Sequence, residues 1–231
     1  MANPAELLHK QLLQWQTNAT ASTARLGKDD SGENRKQLAH KLRIASMHLL
    51  AIRDFLDRYE ETGRDATMWR KALDRWTLGL FLFPHGWSHT QASSFDNSDL
   101  HLLQSLGDLM QMTVPELDKK AVDKIPEFLK QIRGTATEGN LDLNLKRHLF
   151  NVLSHIDWCL ENYALVGDFE LEKAWMQLAA TVNLAETNAP EEQKSRWASV
   201  KENWLNPFVV GSLSGLGGNL LTQSAALMIT S

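Results

Sequence analysis

Between Leu38 and Tyr59 the chain reads LAHKLRIASMHLLAIRDFLDRY, and this stretch decides the fold. Leu38, Leu42, Ala45, Leu49, Ile52, Leu56 and Tyr59 follow one another at alternating steps of four and three residues. That rhythm sets all of them on one stripe of an α-helix, whereas a strand would divide them between two faces. Arg35, Lys36, Lys41, Arg43, Arg53, Asp54, Asp57 and Arg58 lie off the stripe and mark its solvated side. Gly63 closes this helix.

The same pattern recurs downstream. Trp69, Leu73, Trp76 and Leu80 set out a second stripe, after which Thr77 to Phe83 turns apolar on all sides, as expected of an interior or an interface; Pro84 stops it. Leu100, Leu103, Leu106 and Met110 form another helix, and Thr113-Val114-Pro115-Glu116 opens the next. Pro126 predicts a break near Lys124 and Ile125, followed by a short helix to Arg133 with Gly134 as its cap. Two clean seams follow: Leu145, Leu149, Val152, Ile156, Cys159 and Tyr163, then Leu171, Trp175, Leu178, Val182 and Ala185, with Gly167 between them. Helices joined by so short a turn pack antiparallel. Pro190-Glu191 starts a last helix bearing Trp197, Val200 and Trp204. A first helix is expected over Pro4 to Leu26, capped by Asn3 and ended by the polar loop Gly27 to Gly32.

The expectation is therefore an all-α bundle of about eight helices in antiparallel packing, with no sheet. Residues 1–112 read as one helical subdomain, 113–205 as a second and 206–231 as an apolar, Gly-rich tail, unless all form one continuous domain. With 231 residues and 43% apolar composition the chain can fill a core without disulfides, and it has a single cysteine, Cys159. Eight tryptophans against two tyrosines supply large core anchors.

A net charge of −4 argues against whole-molecule attraction to nucleic acid or anionic lipid; Arg35 to Arg43 is the one basic face. Nucleic acid is not an expected partner. The single cysteine fits a reducing cytoplasm, so a cytoplasmic location is expected, with membrane association through the tail as its variant; the opening residues lack the basic start and apolar core of a signal peptide.

Candidate chemistry is sparse. His85, His89 and His101, with Asp96 and Asp99, are the residues that could converge on a zinc ion or carry protons, because the first two flank Gly86-Trp87-Ser88 in the longest apparent loop. Glu6 and His9 have the Glu-x-x-His spacing of di-iron bundles, but no second copy of the motif exists. His155 and Cys159 lie one helical turn apart, where an imidazole could activate a thiol, yet Cys159 sits on the seam and reads as a small apolar side chain. His40 and His48 read as boundary residues. No cofactor is expected.

The tail is the most unusual stretch. After Glu202 no charged side chain occurs, and Phe208, Val209, Val210, Gly211, Leu213, Gly215, Leu216 and Gly218 are its candidate contact residues for a partner, a second copy or a membrane. Twenty-two residues from Phe208 to Ile229 suffice to cross a hydrocarbon layer as a helix. Gly211 with Gly215, and Ser214 with Gly218, have the small-x-x-x-small spacing that lets helices approach closely. Ser212, Ser214, Asn219, Thr222, Gln223 and Ser224 oppose insertion and favour docking on the bundle.

Ile125-Pro126-Glu127-Phe128-Leu129, Leu145-Lys146-Arg147-His148-Leu149, Glu161-Asn162-Tyr163-Ala164-Leu165-Val166-Gly167 and Glu172-Lys173-Ala174 carry a resemblance. Across Ile125 to Gly218 the chain resembles the helical C-terminal part of uncharacterised bacterial proteins, some encoded among phage-defence genes. The resemblance implies a helical partner-binding or effector role and no catalytic residues. The leading expectation is thus a non-enzymatic interaction protein, set against a metal-binding protein or enzyme built around His85 to His101.

Overall fold

The protein is all-α. A computed structural model describes residues 3–27, 29–81, 87–88, 96–112 and 122–202. These residues form nine helices and no strand: α1 (Pro4–Trp15), α2 (Ala21–Leu26), α3 (Gly32–Glu61), α4 (Thr67–Phe81), α5 (Asn97–Gln111), α6 (Ile125–Glu138), α7 (Leu143–Glu161), α8 (Tyr163–Asn188) and α9 (Glu191–Val200). Chain contacts divide them into two compact units, one spanning 2–111 and the other 112–231.

In the first unit α1 packs on α3 and α5, and α4 packs on both of those helices. The predicted stripe of α3 faces inward: Leu38, Ala45, Leu49, Ile52 and Leu56 are buried, with Leu42 and Tyr59 half-buried at its edges. His48 is also buried, so it belongs to the packed side and not to the boundary. All four apolar markers of α5 are buried. Close approach of α1 to α5 relies on Gly107, where a Cβ would stand 3.1 Å from Glu6 Cγ. Asn3 fixes the start of α1: its Oδ1 accepts from the Ala5 and Glu6 amides at 3.0 Å each, and its Nδ2 donates to the Gly107 carbonyl at 2.9 Å.

The single first helix expected from Pro4 to Leu26 is instead two. The chain leaves helix after Trp15, and Thr20 restarts it by accepting from the Thr23 amide at 3.2 Å. Threonine does this readily because its hydroxyl competes for backbone donors. On α4, Trp76 and Leu80 are buried, whereas Leu78 and Phe81 face solvent, so the run that is apolar on all sides is only half enclosed among the described residues.

In the second unit α7 and α8 fold back along each other, α9 packs on α8 and α6, and α6 also meets α7. Leu149, Val152, Ile156 and Cys159 of the first seam are buried, as is every predicted residue of the second, Leu171, Trp175, Leu178, Val182 and Ala185. Pro126 lies in the first turn of α6, where its missing amide costs nothing, and the helix runs through Gly134 to Glu138. The expected Gly134 cap is therefore corrected; Gly139 ends the helix, donating to the Thr135 carbonyl at 2.9 Å. The predicted helix start at Thr113 lies outside the described residues.

The turn between the seams is set by Gly167, whose φ of 71° and ψ of −172° interrupt α8 four residues after its start. Only glycine occupies that region without strain. Gly167→Ala is expected to cost about 1–3 kcal/mol of stability; urea unfolding would measure it, and an unchanged midpoint would show that the turn relaxes freely.

Candidate functional site

Three clusters of polar groups could carry chemistry, and each is built by local packing. In the first unit Arg25 is buried. Its guanidinium donates to the carbonyls of Leu80 at 2.6 Å and Gly79 at 2.8 Å and lies 4.4 Å from the centre of the Trp15 ring. These carbonyls belong to the last turn of α4, which has no helical partners for them. Burial lowers the Arg25 pKa to about 10, so the group remains charged at neutral pH and serves as a cap.

His9 of α1 and His101 of α5 approach closely enough to repel when charged. Burial first, and His101 second, hold the His9 pKa below its usual 6.5. Glu6 does not join them as a ligand: its carboxylate accepts from the Asn3 amide at 3.3 Å, closing a capping box. The Glu-x-x-His spacing is thus consumed by helix initiation.

In the second unit, α7 and α8 bring His155, Cys159 and Glu170 together. His155 Nε2 lies 3.3 Å from Glu170 Oε1 and 3.9 Å from Cys159 Sγ, and its ring stacks on Trp158 at 5.8 Å between centroids. The order carboxylate, imidazole, thiol resembles a nucleophilic triad, but the geometry opposes it. A relay needs the acid on one ring nitrogen and the nucleophile on the other; here both address Nε2. Cys159 is wholly enclosed, and burial, followed by the nearby Glu170 charge, pushes its pKa up to about 12. It is a core thiol, as its place on the seam implies. Beside it Tyr163 donates to Asp168 across Gly167; burial and that bond raise the phenol above its ordinary range.

Of the predicted metal set, His101, Asp96 and Asp99 fall among the described residues, His101 exposed on α5 and Asp99 buried and paired with Arg75 at 2.6 Å; His85 and His89 lie outside them. No group of three or more His, Cys, Asp or Glu placed to hold a metal occurs among the described residues. The tail residues Phe208, Val209, Val210, Gly211, Leu213, Gly215, Leu216 and Gly218 also lie outside them. Among described residues, no helix is long and apolar enough to cross a membrane. The basic face of α3 is partly neutralised, since Arg35 pairs with Asp30 at 2.6 Å in solvent.

One surface was missed by the pattern reading. From Ala174 to Ala185, AWMQLAATVNLA, α8 carries no charge on any side, yet Met176 is 39% and Leu184 53% exposed, with Gln177 and Ala180 exposed beside them. Scoring only the residues that match a seam hides this, because the signal is the absence of charge opposite the seam.

Comparison with protein-family models, curated proteins and solved structures returns no match to this chain.

Two outcomes test the assignment of these groups to structure. Cys159 should resist Ellman's reagent in the native protein at pH 8 and react fully in urea; fast native labelling would show an accessible thiolate. For His9 the unfolded chain binds the proton more tightly, so its contribution is complete above pH 6.5 and lost as pH falls below it towards the lowered folded value. The urea midpoint should therefore fall less between pH 7.5 and 5 in His9→Gln than in the parent protein.

Proposed function

We propose that the chain is a non-enzymatic helical interaction protein whose second unit makes the contact. The observation that supports this reading is the uncharged outer face of α8. A helical stretch with no charge on any side, as from Ala174 to Ala185, is suited to contact beyond its packed seam, whereas solvent-facing stretches commonly carry charge. The exposed Met176 and Leu184 lie on this face. The uncharged sequence from Asn203 onward adds a second neutral segment to the same unit.

The polar clusters favour the same reading from the opposite side. Arg25 caps a helix, Glu6 starts one, and Cys159 is enclosed with a raised pKa, so each has a structural role. The resemblance of Ile125 to Gly218 to bacterial proteins, some linked to phage defence, suggests that setting, and the single Cys159 fits a cytoplasmic location.

Mass photometry across nanomolar to micromolar concentration, with flotation on phosphatidylcholine and phosphatidylglycerol vesicles, tests the proposal. Self-association or lipid capture that Met176→Asp or Leu184→Asp changes at least tenfold is expected. A monomer that ignores lipid, and whose variants behave identically in the process it serves, would leave the proposal without support.

A further inference from the structure

We propose that the outward face of α3 is a seam on which a second copy of the chain packs antiparallel, forming a weak two-fold dimer. The inference concerns the first unit and stands apart from the α8 reading above.

The pattern lies opposite the core. The buried stripe of α3 runs from Leu38 to Tyr59; starting two residues earlier, roughly 200° around the helix, a second series of alternating four and three steps runs from Lys36 to Glu61. Lys36, His40 and Arg43 form its first part, and Met47 and Leu50 its middle. Asp54, Asp57 and Glu61 complete it. The series meets solvent: Lys36, Arg43, Asp57 and Glu61 are exposed, Leu50 is 50% exposed, and His40, Met47 and Asp54 are half-buried.

Charge along this line is sorted by sign, with cations before Met47 and acids after Leu50. Helix stability does not account for that order. Intrahelical ion pairs need opposite signs three or four residues apart, whereas at those intervals the seam sets Asp54 beside Asp57 and Asp57 beside Glu61. The helix dipole favours acids near the N-terminus and cations near the C-terminus, the reverse of the order present.

An antiparallel second copy turns both penalties into attraction. Fours and threes alternate symmetrically about the midpoint between Met47 and Leu50, so the seam fits itself when reversed. Met47 then meets Leu50 of the second copy, Arg43 meets its Asp54, and Lys36 meets its Glu61. Every contact occurs twice, as a two-fold axis requires. Parallel packing would set Lys36 on Lys36 and Asp57 on Asp57, which like-charge repulsion opposes.

The pairing within the chain leaves room for these contacts. Asp54 pairs with Arg53 at 3.1 Å and Asp57 with Arg70, whereas Lys36, Arg43 and Glu61 make no ion pair among the described residues. The second copy supplies a partner to each. With two apolar side chains per copy and the rest solvent-exposed charge, the contact is weak and reversible, and its charges fix direction and register more than strength.

Sedimentation velocity on the full chain across micromolar concentrations tests this. The parent is expected to dimerise, and raising the salt from about 0.05 M to about 0.5 M should weaken the dimer several-fold. Lys36→Glu with Arg43→Glu makes the seam acidic; Asp54→Lys with Glu61→Lys makes it basic. Each variant alone should dimerise at least tenfold more weakly than the parent, and an equimolar mixture of the two should form a mixed dimer at least as tight as the parent's. A parent that stays monomeric, variants that associate as the parent does, or a mixture of variants folded by circular dichroism that does not pair would overturn the proposal. Association through α8 is separable, because Met176→Asp or Leu184→Asp changes it and the α3 variants do not. Self-association that responds only to those two substitutions would overturn the α3 proposal and leave the α8 reading standing.

Discussion

The second unit depends on a single constraint: the seam of α8 must lie against α7 after the chain reverses at Gly167. Leu171, Leu178 and Val182 are fully enclosed and Trp175 nearly so. Each such side chain contributes roughly 1.5–3 kcal/mol on burial, so together they rival the net stability of a whole domain. That gain is available only if the helix leaves the turn in the correct direction. The left-handed φ of Gly167 supplies the direction, and Tyr163 donating to Asp168 ties the two sides of the turn. His155 and Glu170 then meet across the pair, seven residues before and eight after Asn162.

Much of this was legible in the sequence because burial has a period. The seams of α3, α5, α7 and α8 could be read directly, since the same residues that repeat at threes and fours are those removed from water. The misreadings occurred where local hydrogen bonding outweighed periodicity. Thr20 and Thr23 restart a helix that apolar spacing alone would have continued, and Gly134 lies inside α6 because nothing there requires a left-handed residue. The role of Arg25 was invisible, because its acceptors Gly79 and Leu80 lie more than fifty residues away in sequence. A long-range polar contact has no period to read.

The candidate chemistry shows why spacing underdetermines a site. Glu6 and His9 share a helix face, but the carboxylate is already engaged by the Asn3 amide. His155 and Cys159 are one turn apart as the spacing requires, yet the wall around the sulfur makes the charged form unfavourable. In each case residue type and interval were right for chemistry, and solvent access or a prior hydrogen bond decided against it. The His85, His89 and His101 proposal differs, because only His101 lies among the described residues.

The helices α3 and α8 differ on the sides that face away from their packed stripes. Both are long helices with one fully packed stripe, so both draw stability from the same source. Outside its stripe α3 carries exposed Arg35, Lys36, Arg43, Arg53, Asp57 and Arg58, and Arg70 of α4 pairs with its Asp57 and Glu60. Between Ala174 and Ala185 the exposed residues of α8 are Met176, Gln177, Ala180 and Leu184, with the exposed Lys173 just before them. Helix propensity does not require that difference, since Lys and Glu propagate a helix about as well as Met or Gln. Nor does the α7 seam, which lies on the other side. Water favours the pattern of α3, and the neutral stretch of α8 is the observation on which the interaction proposal rests.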